Sequence, residues 1–320
     1  MSDYQFLMLP TAIKQRVETG ESGNEAPQTP TTNENLARRP LTQTLESFAQ
    51  NANYFIPPPG LTQAINAAIA TGLPLLLSGE PGSGKTQVAY YVAQQLQLGN
   101  VLHFQVKSDS AARDLFYNFD QLRYFQDSQF ASAQGKAPPN KAVYLEPRPL
   151  WQAMGAKQVR IVLIDEIDKA PRDFANDLLY ELDRMEFHIP ELGKHFNATP
   201  QQRPLVFITT NSERRLPDPF LRRCIYHPLQ LSEENFRQAL QARRQAYTQL
   251  DDELIDNALS KVLRLRKQDL MKPPSLTECL VWFDLLNIAH GTYPLPLPER
   301  LADLPFLGAL LKDQSDIEAM

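Results

Sequence analysis

Residues 73–96 read LPLLLSGEPGSGKTQVAYYVAQQL, and this stretch decides the fold. The leucines at 75–77 form the short apolar run that is typical of a buried parallel strand. Apolar residues recur afterwards at every fourth position, at Val88, Val92 and Leu96. This spacing predicts a helix with one buried face. Residues 79–86 lie between the two elements and have the spacing G-x-x-x-x-G-K-T.

This loop has the pattern of a phosphate-binding site. Gly82 and Gly84 let the backbone curl with its N–H groups inward, Pro81 stiffens the turn, and the positive end of the helix dipole faces the anion. We expect Lys85 to reach the β- and γ-phosphates and the Thr86 hydroxyl to ligate Mg²⁺. The candidate nucleotide-binding residues of the loop are Gly79, Glu80, Pro81, Gly82, Ser83, Gly84, Lys85, Thr86 and Gln87.

Composition narrows the class of protein. The 320 residues are 42% hydrophobic, which is enough for a large folded core, and the net charge of -5 argues against nucleic acid as the main partner. Cys224 and Cys279 are the two cysteines, too few for a disulfide framework or a zinc knuckle, and we interpret the five histidines as structural. The sequence has no signal peptide pattern and no apolar stretch of membrane-spanning length, so we expect no membrane partner and a cytoplasmic protein.

The chain divides into three parts by composition. Residues 1–45 are expected to form an N-terminal segment and flexible linker, since 20–40 are polar and rich in proline. An apolar group at residues 4–9 is either a docking peptide or a terminus that packs on its own domain. Residues 46–228 are predicted to form an α/β domain with a parallel central sheet, and 229–320 a helical lid domain with a tail.

Several elements follow the first helix. We predict a strand at 101–107 and then a helix over 112–125 that places Leu115, Phe119 and Leu122 on one face. A proline-rich insertion follows at about 126–150, and its end, PLWQAM, favours a short helix. A β-hairpin is predicted at about 187–203, with Gly193 at its turn.

A second motif lies in VRIVLIDEIDKAPRDF. Its apolar run at 159–164 is typical of a central strand, and Asp165 and Glu166 follow at the carboxyl end, where open α/β sheets bind ligands. One carboxylate can hold Mg²⁺ and the next can polarise the water that attacks the γ-phosphate. Two acids after a strand are common, but here they follow a complete phosphate loop.

Polar residues that follow later elements complete the candidate site. Asn211 follows another predicted strand, where its amide either holds the attacking water or caps a turn. Arg222 and Arg223 are either exposed loop residues or donors of positive charge to a neighbouring subunit's γ-phosphate. Phe55 and Ile56, ahead of the first motif, either cover the base or pack in the core.

The C-terminal third is predicted to be helical. Three amphipathic patterns begin near 232, 252 and 275, and Ser232 and Ser275 are plausible N-caps. A proline-rich stretch and a short helical pattern close the chain, and they either pack across these helices or mediate assembly.

With these residues described, the chain resembles AAA+ ATPases of the MoxR family, in the group with an insertion in the second helix. The similarity covers residues 57–286. GEPGSGKT at 79–86 matches Walker A, and LIDEIDKAP at 163–171 matches Walker B with its extension. TTN at 209–211 matches sensor 1, and LPDPFLRRC at 216–224 matches the segment that bears the arginine finger.

The resemblance implies a role for each matching residue. Lys85 and Thr86 would bind phosphate and Mg²⁺, Asp165 would hold the metal, Glu166 would activate water, and Asn211 would be the sensor.

It also marks departures from the family pattern. The segment usually reads Leu-Asp-Arg-Phe, and here 221–224 read LRRC, so Arg223 matches the finger and Arg222 replaces an acid. Lys272 is the basic residue near the sensor 2 position, which is usually an arginine.

The resemblance further implies ATP and Mg²⁺ as cofactors, a homo-oligomeric ring, usually a hexamer, and a chaperone-like action on a client or partner protein, frequently one with a von Willebrand factor A domain. Two other functions remain open. One is a nucleotide-controlled switch or scaffold in a bacterial defence system. The other is a DNA-dependent motor, which the mixed charges of residues 126–148 support only weakly. GTP is an alternative nucleotide, because no residue pattern identifies the base.

Overall fold

The structure, a computed structural model, describes residues 48–290 and 297–320. The strands in these residues are β1 (Leu75–Gly79), β2 (Leu102–Gln105), β3 (Tyr117–Phe119), β4 (Leu145–Pro147), β5 (Ile161–Asp165), β6 (Glu186–Ile189), β7 (Lys194–Asn197), β8 (Leu205–Thr210) and β9 (Ile225–Leu229). Five of them form a parallel sheet in the order β2-β5-β8-β1-β9. The parallel central sheet predicted from the sequence is therefore confirmed.

Helices also form throughout the described residues. They are α1 (Phe48–Asn51), α2 (Leu61–Thr71), α3 (Lys85–Gln95), α4 (Gln121–Ala133), α5 (Pro149–Met154), α6 (Arg172–Arg184), α7 (Asp218–Leu221), α8 (Glu233–Ala242), α9 (Asp252–Arg266), α10 (Leu276–His290), α11 (Leu307–Leu310) and α12 (Gln314–Glu318). Short 3-10 helices occur at Ala52–Tyr54, Ala112–Leu115, Lys141–Tyr144, Ile167–Lys169, Pro200–Gln202, Arg244–Ala246 and Leu301–Asp303.

The sheet has a buried core on each face because successive strand residues point to opposite sides. In β1, Leu75 and Leu77 pack in one cluster with Val88 of α3. Leu76 belongs to the cluster on the other face, together with Leu178 of α6. A strand buried on both faces reads as a continuous apolar run, as β1 and β5 do.

The helix predicted over 112–125 is wrong. A 3-10 turn ends at Leu115, β3 follows, and α4 begins only after Asp120, whose carboxylate accepts a hydrogen bond from the Arg123 N–H at 3.0 Å. This N-cap starts a separate helix, so the apolar repeat is divided between elements. As a result Leu115 is buried while Leu122 is 69% exposed. β3 pairs antiparallel with β4, and α4 lies between them in the chain.

The other predictions for this part of the chain have mixed outcomes. The hairpin β6–β7 and the short helix α5 form as predicted. Within α2, Ile65 is buried, whereas Ile69 is 39% exposed. The sequence analysis did not identify β9, whose alternation is interrupted by Pro228. A proline is tolerated there because β9 lies at the edge of the sheet.

Contacts divide the described residues into two units, one up to Asn235 and one from Phe236 onward. The second unit contains helical elements, as predicted. Ser232 and Ser275 are confirmed as caps, since each hydroxyl accepts a hydrogen bond from the N–H three residues later. The expectations for residues 1–47 and for the stretch 291–296 lie outside the described residues. In the described parts of the chain, helices of sufficient length and apolarity to cross a membrane are absent.

Candidate functional site

The loop between β1 and α3 has the backbone curl that its glycines predict. Gly82 and Gly84 have φ values of 72° and 88°, in the left-handed region. At Gly79 a Cβ atom would lie 2.3 Å from the carbonyl oxygen of Leu229, so a side chain does not fit there. The neighbouring strand β9 therefore fixes the start of the loop.

Lys85 is buried inside this loop. Its Nζ donates hydrogen bonds to the carbonyl oxygens of Gly79 and Glu80, both at 2.9 Å. Burial lowers the pKa of Lys85, and the nearby carboxylates, Asp165 first, oppose that shift. The Ser83 hydroxyl oxygen is also buried, without a hydrogen-bond partner in the described part of the chain. An anion bound in the loop would satisfy both groups.

Asp165 ends β5 beside the loop and accepts hydrogen bonds from three elements. The Thr86 hydroxyl lies 3.0 and 3.2 Å from its two oxygens, Thr209 of β8 donates at 2.6 Å, and Nε2 of His103 in β2 lies at 3.2 Å. Burial alone would raise the pKa of Asp165, but these hydrogen bonds, led by that of His103, hold the pKa below its usual value. The carboxylate is therefore ionised at neutral pH.

Thr86 and Asp165 fit a magnesium ion by the chemistry of their donors. Mg²⁺ prefers oxygen ligands and commonly takes one or two carboxylates in addition to phosphate oxygens and water. A hydroxyl and an ionised carboxylate are already within 3.0 Å of each other. The phosphate-binding loop contributes Thr86 directly, so the metal and the anion sites adjoin.

Glu166 follows in the left-handed conformation, with φ 60°. Its Oε1 accepts a hydrogen bond from Asn211 Nδ2 at 3.3 Å, and its Oε2 accepts from Gln105 Nε2 at 2.6 Å and from Lys169 Nζ. Its backbone N–H donates to the Thr209 hydroxyl at 2.8 Å. The structure thus brings Glu166 and Asn211 together.

The sequence analysis missed Asp168, which is 3% exposed. Its carboxylate accepts hydrogen bonds from the backbone N–H groups of Asn211, at 3.1 Å to Oδ2, and Glu213, at 3.0 Å. It therefore fixes the turn after β8 from which the Asn211 side chain reaches Glu166. An acid two residues after Glu166 has no spacing signal that would have identified this contact.

The remaining candidate residues, Phe55, Ile56 and Gln87, have different surroundings. The Phe55 ring is tilted against that of Tyr91 of α3, with centroids 5.3 Å apart, and it lies 3.3 Å from where a Gly84 Cβ would lie. Ile56 is 41% exposed. Gln87 donates a hydrogen bond to the Phe48 carbonyl oxygen at 2.6 Å. Phe55 thus borders the loop, and Gln87 ties α3 to α1.

Arg222 and Arg223 lie away from the loop of their own chain. Arg223 pairs with Asp183 of α6 at 2.7 Å and also donates to the Pro219 carbonyl oxygen. The Arg222 side chain is exposed and has no hydrogen-bond or ion-pair partner in residues 48–290 or 297–320. In the second unit, Lys272 pairs with Asp313 at 3.6 Å.

Comparison with known proteins agrees with this geometry. Residues 74–224 match the family model of the AAA domain, dynein-related subfamily. This stretch includes the loop, the acids, Asn211 and both arginines, so these residues are similar to an AAA domain, and the chain has the AAA-type P-loop NTPase fold. Assignment to the MoxR family within that class stays a prediction.

Among solved structures, the chain is similar to NtrX from Brucella abortus, determined in complex with ADP. The identity is 14% and the TM-score 0.48, over 94% of this chain and 59% of the NtrX chain. This chain therefore spans about three fifths of NtrX. The search of curated proteins found no match.

Proposed function

We propose that this protein is an ATPase that binds ATP and Mg²⁺ at the loop of residues 79–86 and hydrolyses the γ-phosphate bond. The observation that carries the proposal is the contact of Thr86 with Asp165, two residues 79 positions apart, beside the buried Lys85. A buried lysine in a glycine-rich loop and a hydroxyl paired with an ionised carboxylate are the groups that phosphoryl transfer requires.

The roles of the residues follow from their positions. On nucleotide binding Lys85 would exchange its two carbonyl partners for phosphate oxygens, and Thr86 and Asp165 would hold Mg²⁺, which would neutralise charge on the phosphates. The Glu166 carboxylate accepts a hydrogen bond from the attacking water and orients it toward the γ-phosphorus. Asn211, at 3.3 Å from Glu166, fixes the position of the carboxylate and the water.

The test compares wild type with Glu166→Gln. Each protein is incubated with ATP and Mg²⁺, separated from free nucleotide, and the bound nucleotide is identified by chromatography. Wild type should retain ADP, whereas the variant should retain ATP with a similar affinity. ADP formation by the variant at the wild-type rate would contradict the role of Glu166, and no bound nucleotide in either protein would contradict the proposed site.

Assembly into a ring with the site between subunits is part of the proposal. In the segment from 216 to 224, the exposed Arg222 side chain has no hydrogen-bond or ion-pair partner among the described residues. An arginine that donates charge to a neighbouring subunit requires such a side chain. Molar mass by light scattering, with and without ATP and Mg²⁺, tests it in wild type and Glu166→Gln. A shift to a ring, expected to be a hexamer, would support the proposal, and a persistent monomer would contradict it.

One observation favours the switch as a second candidate function. Glu166 accepts hydrogen bonds from Gln105, Asn211 and Lys169 at the same time, so the position of its carboxylate is restrained. A partner protein that displaces Gln105 or Lys169 would release it. We propose that such a partner, of the von Willebrand factor A class or a client, stimulates turnover, and a free-running rate unchanged by any added protein partner would favour the autonomous ATPase.

Nucleic acid is a less suitable partner for the insertion of residues 126–150. There the Arg148 guanidinium lies 3.6 Å from the Glu146 carboxylate, and the Lys136 ammonium donates a hydrogen bond to Gln134, so both basic side chains have partners within the chain. ATPase stimulation by DNA would revive the motor hypothesis.

A further inference from the structure

His103, in the edge strand β2, lies between Asp165 and a tyrosine of α3. Its Nε2 is 3.2 Å from Asp165 Oδ2, and its Nδ1 is 3.1 Å from the hydroxyl of Tyr90. We propose that His103 is a positioning residue, which holds the Asp165 carboxylate in the orientation that Mg²⁺ requires, and that Tyr90 holds the ring in place through its Nδ1. This inference rests on the metal site of the proposed function.

The proton positions follow from the partners. An ionised carboxylate can only accept hydrogen bonds, so the ring nitrogen that faces Asp165 must carry a proton. In the neutral ring the other nitrogen, Nδ1, then has a free lone pair, and the Tyr90 hydroxyl donates to it. Asp165 therefore selects the Nε2–H tautomer of His103, Tyr90 donates to the remaining nitrogen, and the hydrogen bonds run in one direction from Tyr90 through His103 to Asp165.

Asp165 depends more on His103 if the Thr86 hydroxyl ligates Mg²⁺. In the structure the Thr86 hydroxyl lies near both oxygens of Asp165. Once that hydroxyl faces Mg²⁺, Oδ1 keeps the donor on Thr209 and Oδ2 keeps only His103. The two remaining donors come from β8 and β2, the strands on either side of β5. Together they set the plane of the carboxylate.

An aromatic side chain of α1 packs against Tyr90 and His103. Phe48 of α1 stacks on Tyr90 with ring centroids 5.2 Å apart and meets His103 edge-on at 6.2 Å. The His103 side chain is 24% exposed and that of Asp165 is 8% exposed. Partial exclusion of water strengthens hydrogen bonds to an ionised group, so the hydrogen bonds from Tyr90 through His103 can orient the Asp165 carboxylate effectively.

The first experiment measures the affinity for N-methylanthraniloyl-ADP as a function of Mg²⁺ concentration. His103→Ala should raise the half-saturating Mg²⁺ concentration about tenfold, as is typical for loss of a partner of a metal ligand, and leave the affinity in EDTA unchanged within about twofold. Tyr90→Phe should raise it about threefold. His103→Gln should have a half-saturating Mg²⁺ concentration close to that of wild type, since the glutamine amide can donate to Asp165.

Two outcomes of this titration would overturn the proposal. One is a wild-type Mg²⁺ dependence in His103→Ala. The other is an equal loss in His103→Gln and His103→Ala together with weaker binding in EDTA, which is what a role in packing alone predicts.

A second experiment does not depend on nucleotide. Two-bond ¹H–¹⁵N correlation spectra of the full-length protein with labelled histidine report the tautomer of each ring, and His103→Gln assigns the signal. We expect the Nε2–H tautomer in wild type and also in Tyr90→Phe, because the Asp165 carboxylate accepts from Nε2 in both. If the wild type binds no nucleotide, the proposed function fails and this spectrum alone decides the role of His103, since an Nδ1–H tautomer would overturn it.

Discussion

Replacement of Thr209 by valine should loosen the junction between β5 and β8. The Thr209 side chain is fully buried, and its hydroxyl both donates to Asp165 at 2.6 Å and accepts from the Glu166 N–H at 2.8 Å. Valine has a similar shape and can make neither bond. Loss of a hydrogen bond to a charged group costs about 1.5–3 kcal/mol, and a buried N–H without a partner costs about 1–3 kcal/mol. We therefore expect a loss of about 2.5–6 kcal/mol.

Hydrogen exchange followed by mass spectrometry measures this loss locally, in peptides that cover β5 and β8. A decrease of about 3 kcal/mol in the opening free energy corresponds to exchange about 100-fold faster. Thr209→Ser is the matched control, because it keeps the hydroxyl and loses only a methyl group. Exchange in Thr209→Val within about threefold of wild type, or equal acceleration in Thr209→Ser, would refute the reasoning.

Three further predictions concern charge at the site. Because the pKa of Asp165 is lower in the folded protein, this group stabilises the fold above the usual aspartate pKa of about 3.9 and loses that contribution as the pH falls. Urea midpoints should therefore decline more steeply below about pH 5 in wild type than in Asp165→Asn. Arg222→Ala should reduce ATP turnover at least tenfold without loss of ATP binding. Arg223→Ala should also lower the melting temperature, because it breaks the ion pair with Asp183. ATP turnover by Arg222→Ala equal to that of wild type would assign the arginine finger to Arg223. Gln105→Ala removes one of the two donors to Oε2 of Glu166 and should raise the basal ATPase rate several-fold in a phosphate-release assay, and an unchanged or lower rate would argue against a restraining contact.

The central site could be predicted from sequence because its signals are local. The strand, loop and helix around residues 79–86 follow from apolar spacing and glycines within a single stretch, and Asp165 and Glu166 directly follow an apolar run. Their meeting follows from a general property of parallel sheets, whose carboxyl ends lie at one edge. The structure agrees with each of these steps.

The partners of the acids could not be predicted in the same way. His103 and Thr209 reach Asp165 only because β2 and β8 lie on either side of β5, in registers that pair Gln105 with Asp165 and Ile164 with Ile208. Strand order and register are not encoded in any short pattern. The histidines were therefore interpreted as structural, and the link from His103 to the carboxylate was missed.

The wrong helix over 112–125 has a similar cause. The periodicity of Leu115, Phe119 and Leu122 is real, but Tyr117–Phe119 pairs with Leu145–Pro147, far away in the sequence. Non-local pairing overrides a local helical pattern, as often happens for short elements. The cap at Asp120 was the one local sign of a break.

The central claim is that the loop of residues 79–86 binds the phosphates of ATP, and equilibrium binding of ATP in the presence of Mg²⁺ to wild type and Lys85→Ala tests it most directly. Removal of a buried ammonium that bonds to phosphate oxygens should cost about 1.5–3 kcal/mol and so weaken binding about 10- to 150-fold. Circular dichroism of the two proteins should agree. Equal affinity of wild type and Lys85→Ala for ATP would contradict the claim.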